Sequence, residues 1–317
     1  MEIKNLILNQ QNSELPTSFA SIAVHLHLFY PDLIPVFLQY LEHIPAPFSL
    51  FISVPEGVVT DDAEVEKTFL TLSNVEKTVI KHTPNRGRDL APMLCSFKEE
   101  IQKHDIILHL HTKKSPYKSL HEGWLTHILK HLLPERSQLS TMLSLLSKDT
   151  GIIGPPDYIN PLTPDGWGDC ENIIQAQELL NRCGMDISLK EEYKEIDFPQ
   201  GSMIWARTDY LKRFFSLGLT YNDFPEEPIA ADGTIAHALE RLFFVWGRDT
   251  GLSACKVYLY DVEAETHQHL WNEMNILRVE REYFIKKYKS KLALLRMLMY
   301  SALLLVVLVA LSIWLFM

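Results

Sequence analysis

Short apolar runs alternate with amphipathic stretches along most of the chain. Ser21–Tyr30 (SIAVHLHLFY), Phe48–Val54 (FSLFISV), Val75–His82 and Asp105–His111 are rich in β-branched and aromatic residues. Each stops at a Pro, Gly or charged cluster, which predicts strands. Between them, Leu33–His43, Asp61–Leu72 and Ala91–Lys103 repeat apolar residues at three- and four-residue spacing and predict helices. Farther on, His121–Leu133, Gln138–Leu146, Asn172–Cys183, Thr208–Phe215 and Ala231–Trp246 predict helices. Gly151–Gly154, Phe198–Arg207 and Lys256–Tyr260 predict strands. This alternation predicts an α/β fold built on a doubly wound, mostly parallel sheet. Asp157–Asp169, with Pro, Gly and Asp around Trp167, reads as a loop over the site.

Three polar islands interrupt the pattern. The strand Asp105–His111 runs straight into Thr112-Lys113-Lys114-Ser115. Buried unpaired cations cost several kcal/mol, so this cluster belongs just beyond the strand's carboxyl end. In open α/β sheets that is where ligands bind. Asn85-Arg86-Gly87-Arg88-Asp89 lies upstream, with Asp89 a candidate N-cap of the helix from Leu90. Asp232-Gly233-Thr234 opens the third island, in which Asp232, Ala236 and Glu240 fall on one predicted helical face with His237 near it. Lys113, Lys114, Arg86 and Arg88 suit an anionic ligand such as a diphosphate. Asp232 reads as a general base for an acceptor hydroxyl or as a first-turn acid that favours the helix dipole, with Glu226 and Glu227 as competitors for the base. Two His-x-His pairs, His25/His27 and His109/His111, put imidazoles on one face of a strand. They read either as metal ligands, His109 and His111 above all, or as strand histidines bonded to backbone and carboxylates.

Composition narrows the partners. A net charge of −10 over 317 residues argues against bulk nucleic-acid binding. The four cysteines form no CxxC pair and no zinc pattern, which fits a reducing compartment. Met1–Asn12 does not read as a signal peptide. Met297–Met317 carries no charge and is long enough to cross a bilayer as a helix. Arg278, Arg281, Lys286, Lys287, Lys289, Lys291 and Arg296 precede it, so the globular part is expected on the cytoplasmic side of the inner membrane. The expected organisation is a globular domain over residues 1–265, a basic juxtamembrane stem over 266–296 and a single-pass anchor over 297–317.

Five segments resemble the rhamnan synthesis protein F family of bacterial polysaccharide glycosyltransferases. They are His25–Leu33 (HLHLFYPDL), Asn85–Pro92 (NRGRDLAP), His109–Ser115 (HLHTKKS), Gly201–Arg207 (GSMIWAR) and Asp232–Arg241 (DGTIAHALER). The resemblance implies a GT-A-like fold. It also implies transfer of a deoxysugar, typically rhamnose, from a nucleotide-sugar to a lipid-linked cell-surface glycan. Asn85, Arg86, Gly87, Arg88, Asp89, His111, Lys113, Lys114 and Ser115 would then bind the donor, and Gly201 and Ser202 the acceptor. Asp232 would be the base, with Glu226, Glu227 and His237 beside it. His and Lys stand where such enzymes keep an acidic metal site, so Mg or Mn is an open expectation. The other readings are a metal-dependent hydrolase using the His-x-His pairs and a non-catalytic subunit of glycan assembly.

Overall fold

The computed structural model describes residues 3–8, 21–58, 61–112, 123–158 and 165–259. Lys113, Lys114, Ser115, the expected stem and the expected anchor lie outside them. Among the described residues no helix is long and apolar enough to cross a membrane.

Eight strands form one sheet in the order β1-β8-β6-β7-β5-β2-β3-β4. These are β1 Ile3–Leu8, β2 Ile22–His27, β3 Phe48–Pro55, β4 Val75–Thr83, β5 Ile106–His111, β6 Thr150–Gly154, β7 Ile204–Arg207 and β8 Ser253–Leu259. All neighbours pair in parallel except β7, which runs antiparallel to both β5 and β6. The α/β expectation holds. β1 is an addition: its short apolar run pairs with β8, from the far end of the described chain, and nothing local announces that partner.

The strands bury both faces, and the two faces differ. Ile22, Val24 and Leu26 of β2, Phe48, Leu50, Ile52 and Val54 of β3, and Ile106, Leu108 and Leu110 of β5 point into one apolar core. Ala23, Phe51 and Ile107 point into the other. Successive strand residues alternate faces, so His25, His27, Ser53, His109 and His111 share that second face near the strands' carboxyl ends. The apolar residues on both sides, at roughly 1.5–3 kcal/mol each on full burial, anchor the strands that carry this polar rung.

Helices cover the sheet: α1 Ile34–Leu41, α2 Asp62–Phe69, α3 Leu90–Cys95, α4 Lys98–Ile101, α5 Trp124–Leu132, α6 Arg136–Leu146, α7 Cys170–Arg182, α8 Leu189–Glu192, α9 Lys212–Phe215 and α10 Ile235–Arg241. The helix expected over Ala91–Lys103 breaks at Ser96-Phe97 into α3 and α4. There the Lys81 ammonium donates to the Ser96 carbonyl at 2.6 Å. The helix expected from Ala231 begins only at Ile235, with Thr234 as its N-cap. Asp232 therefore stands outside the helix, and the single face expected for Asp232, Ala236 and Glu240 does not form.

Candidate functional site

Strand order reverses between β2 and β5. The chain moves outward from β2 through β3 to β4, then returns to the other side of β2 as β5. Such a switch point opens a crevice at the carboxyl ends of the strands. His25 lies opposite His109 and His27 opposite His111. Thr112 ties the two ends together: its hydroxyl accepts from Phe29 N and Tyr30 N, each at 2.8 Å, and its N–H donates to the His27 carbonyl at 3.0 Å.

A cavity of about 40 Å³ lies at this point. Arg88, Asp89, His111, Ser202, His237 and Glu240 supply its polar lining. Arg88 and Ser202 are the non-glycine residues with positive φ among the described residues, at 55° and 64°. Side chains other than glycine rarely adopt that conformation, and where it persists it concentrates at functional sites. Gly87 and Gly201 precede them. A β-carbon at Gly87 would sit 2.4 Å from the Ala91 β-carbon, and one at Gly201 would sit 2.3 Å from the Trp124 ring. Both positions need positive φ and close approach, so only glycine fits.

The Gly201 peptide is held from both sides. His111 Nε2 donates to its carbonyl at 2.7 Å, and its N–H donates to Glu240 Oε1 at 2.5 Å. The Arg88 guanidinium donates to His237 Nε2 at 3.0 Å. On its other side the ring's Nδ1 meets Thr234 N at 3.3 Å and the Thr234 hydroxyl at 2.8 Å, closing the capping box of α10.

The residues expected to bind the donor divide. Asp89 and His111 line the cavity with Arg88. Arg86 does not: it donates twice to the Phe224 carbonyl, at 3.1 and 2.7 Å, and lines a separate open groove with Asn222, Phe224 and Thr234. Asn85 is exposed. Glu226 bridges to Arg86 through the backbone, at the base of an exposed stretch that includes Glu227, and neither glutamate lines the cavity. Asp89 occupies the N-cap position of α3 but makes no capping bond, because its carboxylate turns to His109 instead.

Asp232 is engaged on both oxygens. It accepts from Asp169 N at 2.9 Å, from Asn172 Nδ2 at 2.8 Å and from Arg241 Nη2 at 3.0 and 3.2 Å. Burial opposes its ionisation, but Arg241, then Asn172 and the Asp169 N–H, outweigh that and hold its carboxyl below the ordinary range. It is therefore a weak proton acceptor, and it ties the start of α7 to α10.

The histidines pair across strands rather than along one. His25 Nδ1 meets His109 Nδ1 at 2.9 Å, with the rings stacked. His109 Nε2 meets Asp89 Oδ2 at 3.0 Å. His25 Nε2 and His27 Nδ1 both reach the Ser53 hydroxyl, at 3.2 and 2.8 Å. Both nitrogens of His109 are thus committed, and metal ligation would break one of these bonds. Among the described residues no three His, Cys, Asp or Glu side chains are grouped to hold a metal ion. The donors described here do not fit a divalent cation, and the His-x-His hydrolase reading loses its ligand pair.

Glu240, Ser53 and the His25–His109 bond are the site features that reading the sequence missed. Glu240 was legible only as a helical neighbour of Asp232. Ser53 sits inside an apolar strand, and only strand register brings it to the imidazoles.

A family model described as Rhamnan synthesis protein F matches residues 3–251. Two curated relatives carry the name Uncharacterized protein WxcX, from Xanthomonas campestris pv. campestris strains B100 and ATCC 33913. Each is 29% identical over 225 residues, a stretch that covers 70% of this chain and 30% of the relative. The chain thus matches less than a third of the length of these relatives.

Proposed function

The chain belongs to the rhamnan synthesis protein F family, and from that premise we propose that it is a glycosyltransferase acting on a nucleotide-sugar. Family membership carries a role in polysaccharide synthesis. The observation that carries the finer reading is the polar cavity at the β2–β5 switch point, with Arg88, Asp89 and Glu240 on its walls. A GT-A-like donor site at that crevice is consistent with the strand order.

In this reading the bond between the anomeric carbon and the diphosphate oxygen breaks, and its electron pair leaves with the diphosphate. Arg88, with Lys113, Lys114 and Ser115 just beyond β5, offsets that charge. Asp89 accepts hydroxyl protons of the donor as hydrogen bonds. An acceptor hydroxyl forms the new bond, and Glu240, on the cavity wall, takes its proton. Gly201 and Ser202 border the acceptor side. Rhamnose as the sugar, a lipid-linked glycan as the acceptor, and an inner-membrane anchor over residues 297–317 complete the proposal. The resemblance and the charge pattern of the tail support these last three.

The test is the full chain with a panel of dTDP-, UDP- and GDP-sugars, scored for thermal stabilisation and nucleoside diphosphate release. Stabilisation by one donor, with release dependent on acceptor, is the expected result. Glu240→Gln should lower release by about 10²–10⁴-fold with donor stabilisation retained. Absence of both stabilisation and release across the panel would favour a non-catalytic subunit of glycan assembly.

A further inference from the structure

Four side chains behind the cavity have no role in the transfer chemistry above. His109, His25, Ser53 and His27 come from β5, β2, β3 and β2, and all are buried. They connect in series to Asp89 through contacts of 3.0, 2.9, 3.2 and 2.8 Å. A buried polar group left unpaired forfeits its hydration without compensation, so a chain of this length survives only if every link is made.

The geometry accommodates one direction in which every imidazole carries a single N–H. Burial, then the charges of neighbouring imidazoles, pushes His25 well below its ordinary value, and burial pushes His27 down to about 3. Both are therefore neutral at physiological pH, each with one N–H. The ionised Asp89 only accepts, so His109 donates to it from Nε2. With Nδ1 of His109 as the unprotonated nitrogen, it accepts from His25 Nδ1–H. His25 Nε2 accepts from the Ser53 hydroxyl, and Ser53 Oγ accepts from His27 Nδ1–H. This arrangement satisfies all four links, and every donor in it points toward Asp89. Hydrogen bonds aligned in this way polarise one another, most of all where the surroundings are apolar.

We propose that His27, Ser53, His25 and His109 form one directed hydrogen-bond chain that fixes Asp89 as a hydroxyl-reading carboxylate on the cavity wall. Its ligand class is a vicinal or isolated hydroxyl of the sugar nucleotide, on the sugar or the ribose. The four residues are positioning residues and do not touch the donor. The assignment rests on the donor reading above. Among the described residues, the charged or titratable groups around Asp89 include His109 and His111 of β5, His25 and His27 of β2, Arg88 beside it in sequence, and His237 and Glu240 of α10 across the cavity.

The chain predicts a gradient by position. Donor affinity of the full protein, read as the dissociation constant for the stabilising sugar nucleotide, should weaken most for His109→Leu, about tenfold or more. It should weaken less for His25→Phe and least for Ser53→Ala. His109→Gln places an amide N–H where Nε2–H was and should recover most of the affinity lost in His109→Leu. Melting temperatures measured in parallel separate folding from positioning. Losses that follow side-chain volume rather than position, or a fall in melting temperature with unchanged affinity, would overturn the chain. A second readout does not need the donor: nitrogen-15 imidazole spectra should show His25 and His27 as Nδ1–H tautomers and His109 as Nε2–H. Any other tautomer set overturns the proposal. Correct tautomers with no donor binding by the wild type would instead defeat the functional reading alone.

Discussion

Asp89 and Asp232 lie in two of the motif segments, and both are held below the ordinary carboxylate range. Their surroundings have little else in common. Burial opposes ionisation of Asp89, and the neighbouring His111 and the His109 bond outweigh it. The residue keeps its place on the cavity wall. Asp232 is balanced by the guanidinium of Arg241, itself buried, and is bonded to the backbone of Asp169 and the side chain of Asn172. A carboxylate held by imidazoles and still lining a cavity remains able to accept from a ligand. One enclosed by a guanidinium, an amide and a peptide N–H acts as a joint. Residue type marks both positions as chemical, and only the partners separate their roles.

The largest effect that tests this contrast is expected at the joint. Asp232→Ala would strand Arg241, whose side chain is 8% exposed, without its carboxylate. Removing one member of a buried pair costs on the order of 3–5 kcal/mol, and the 21% exposure of Asp232 puts the expectation near the lower end, about 3 kcal/mol. Urea unfolding of the full chain measures it. The isosteric Asp232→Asn keeps two acceptor bonds and should lose stability while turnover per folded molecule changes only a few-fold. A fall in turnover of about 10²-fold or more at unchanged stability would restore Asp232 as the base and displace Glu240.

A smaller effect separates the two regions by pH. His25 and His27 are neutral when folded and have unfolded values near 6.5. Each takes up a proton on unfolding, so acid favours the unfolded state. Their contribution is complete above about pH 6.5 and is lost as pH falls, for His27 until about pH 3. The slope is about 1.4 kcal/mol per pH unit for each. His127, and His131 lowered to about 4, add a background of the same sign. Asp89 and Asp232, both depressed, keep their contributions until pH drops below about 4. Unfolding measured between pH 6.5 and 4.5 should therefore be flatter for His25→Phe than for wild type, and unchanged in slope for Asp232→Asn. Parallel lines for wild type and His25→Phe would mean that His25 is charged in the folded protein.

The alternation of apolar runs and amphipathic stretches was enough to read the α/β class and most elements, because strand and helix periods are local properties. It did not reveal β1, whose partner β8 lies at the far end of the described chain. The cavity was legible in part. Strand-end logic pointed to His111, the Asn85–Asp89 island to Gly87, Arg88 and Asp89, and only the family resemblance to Gly201 and Ser202. The Asp232 motif was legible as a motif but not as a joint, since Asn172 and Arg241 reach it only after α7 and α10 pack together. The His-x-His spacing suggested pairs along a strand, whereas parallel register made them pairs across strands.

The smallest expected effect concerns the exposed glutamates, which belong to neither region. The Glu226 side chain is 82% exposed and 3.8 Å from Arg86. Arg86 keeps its bonds to the Phe224 carbonyl without it. Exposed ion pairs contribute between nothing and about 1 kcal/mol, so Glu226→Gln and Glu227→Gln should each shift stability by no more than about 0.5 kcal/mol. Nucleoside diphosphate release should also stay within about twofold, because neither carboxylate lines the cavity that holds Asp89 and Glu240. A tenfold loss of release in either variant at unchanged stability would move the reacting centre to the groove beside Arg86. Asp89 would then stand, like Asp232, as a carboxylate that organises the fold at a distance from the chemistry.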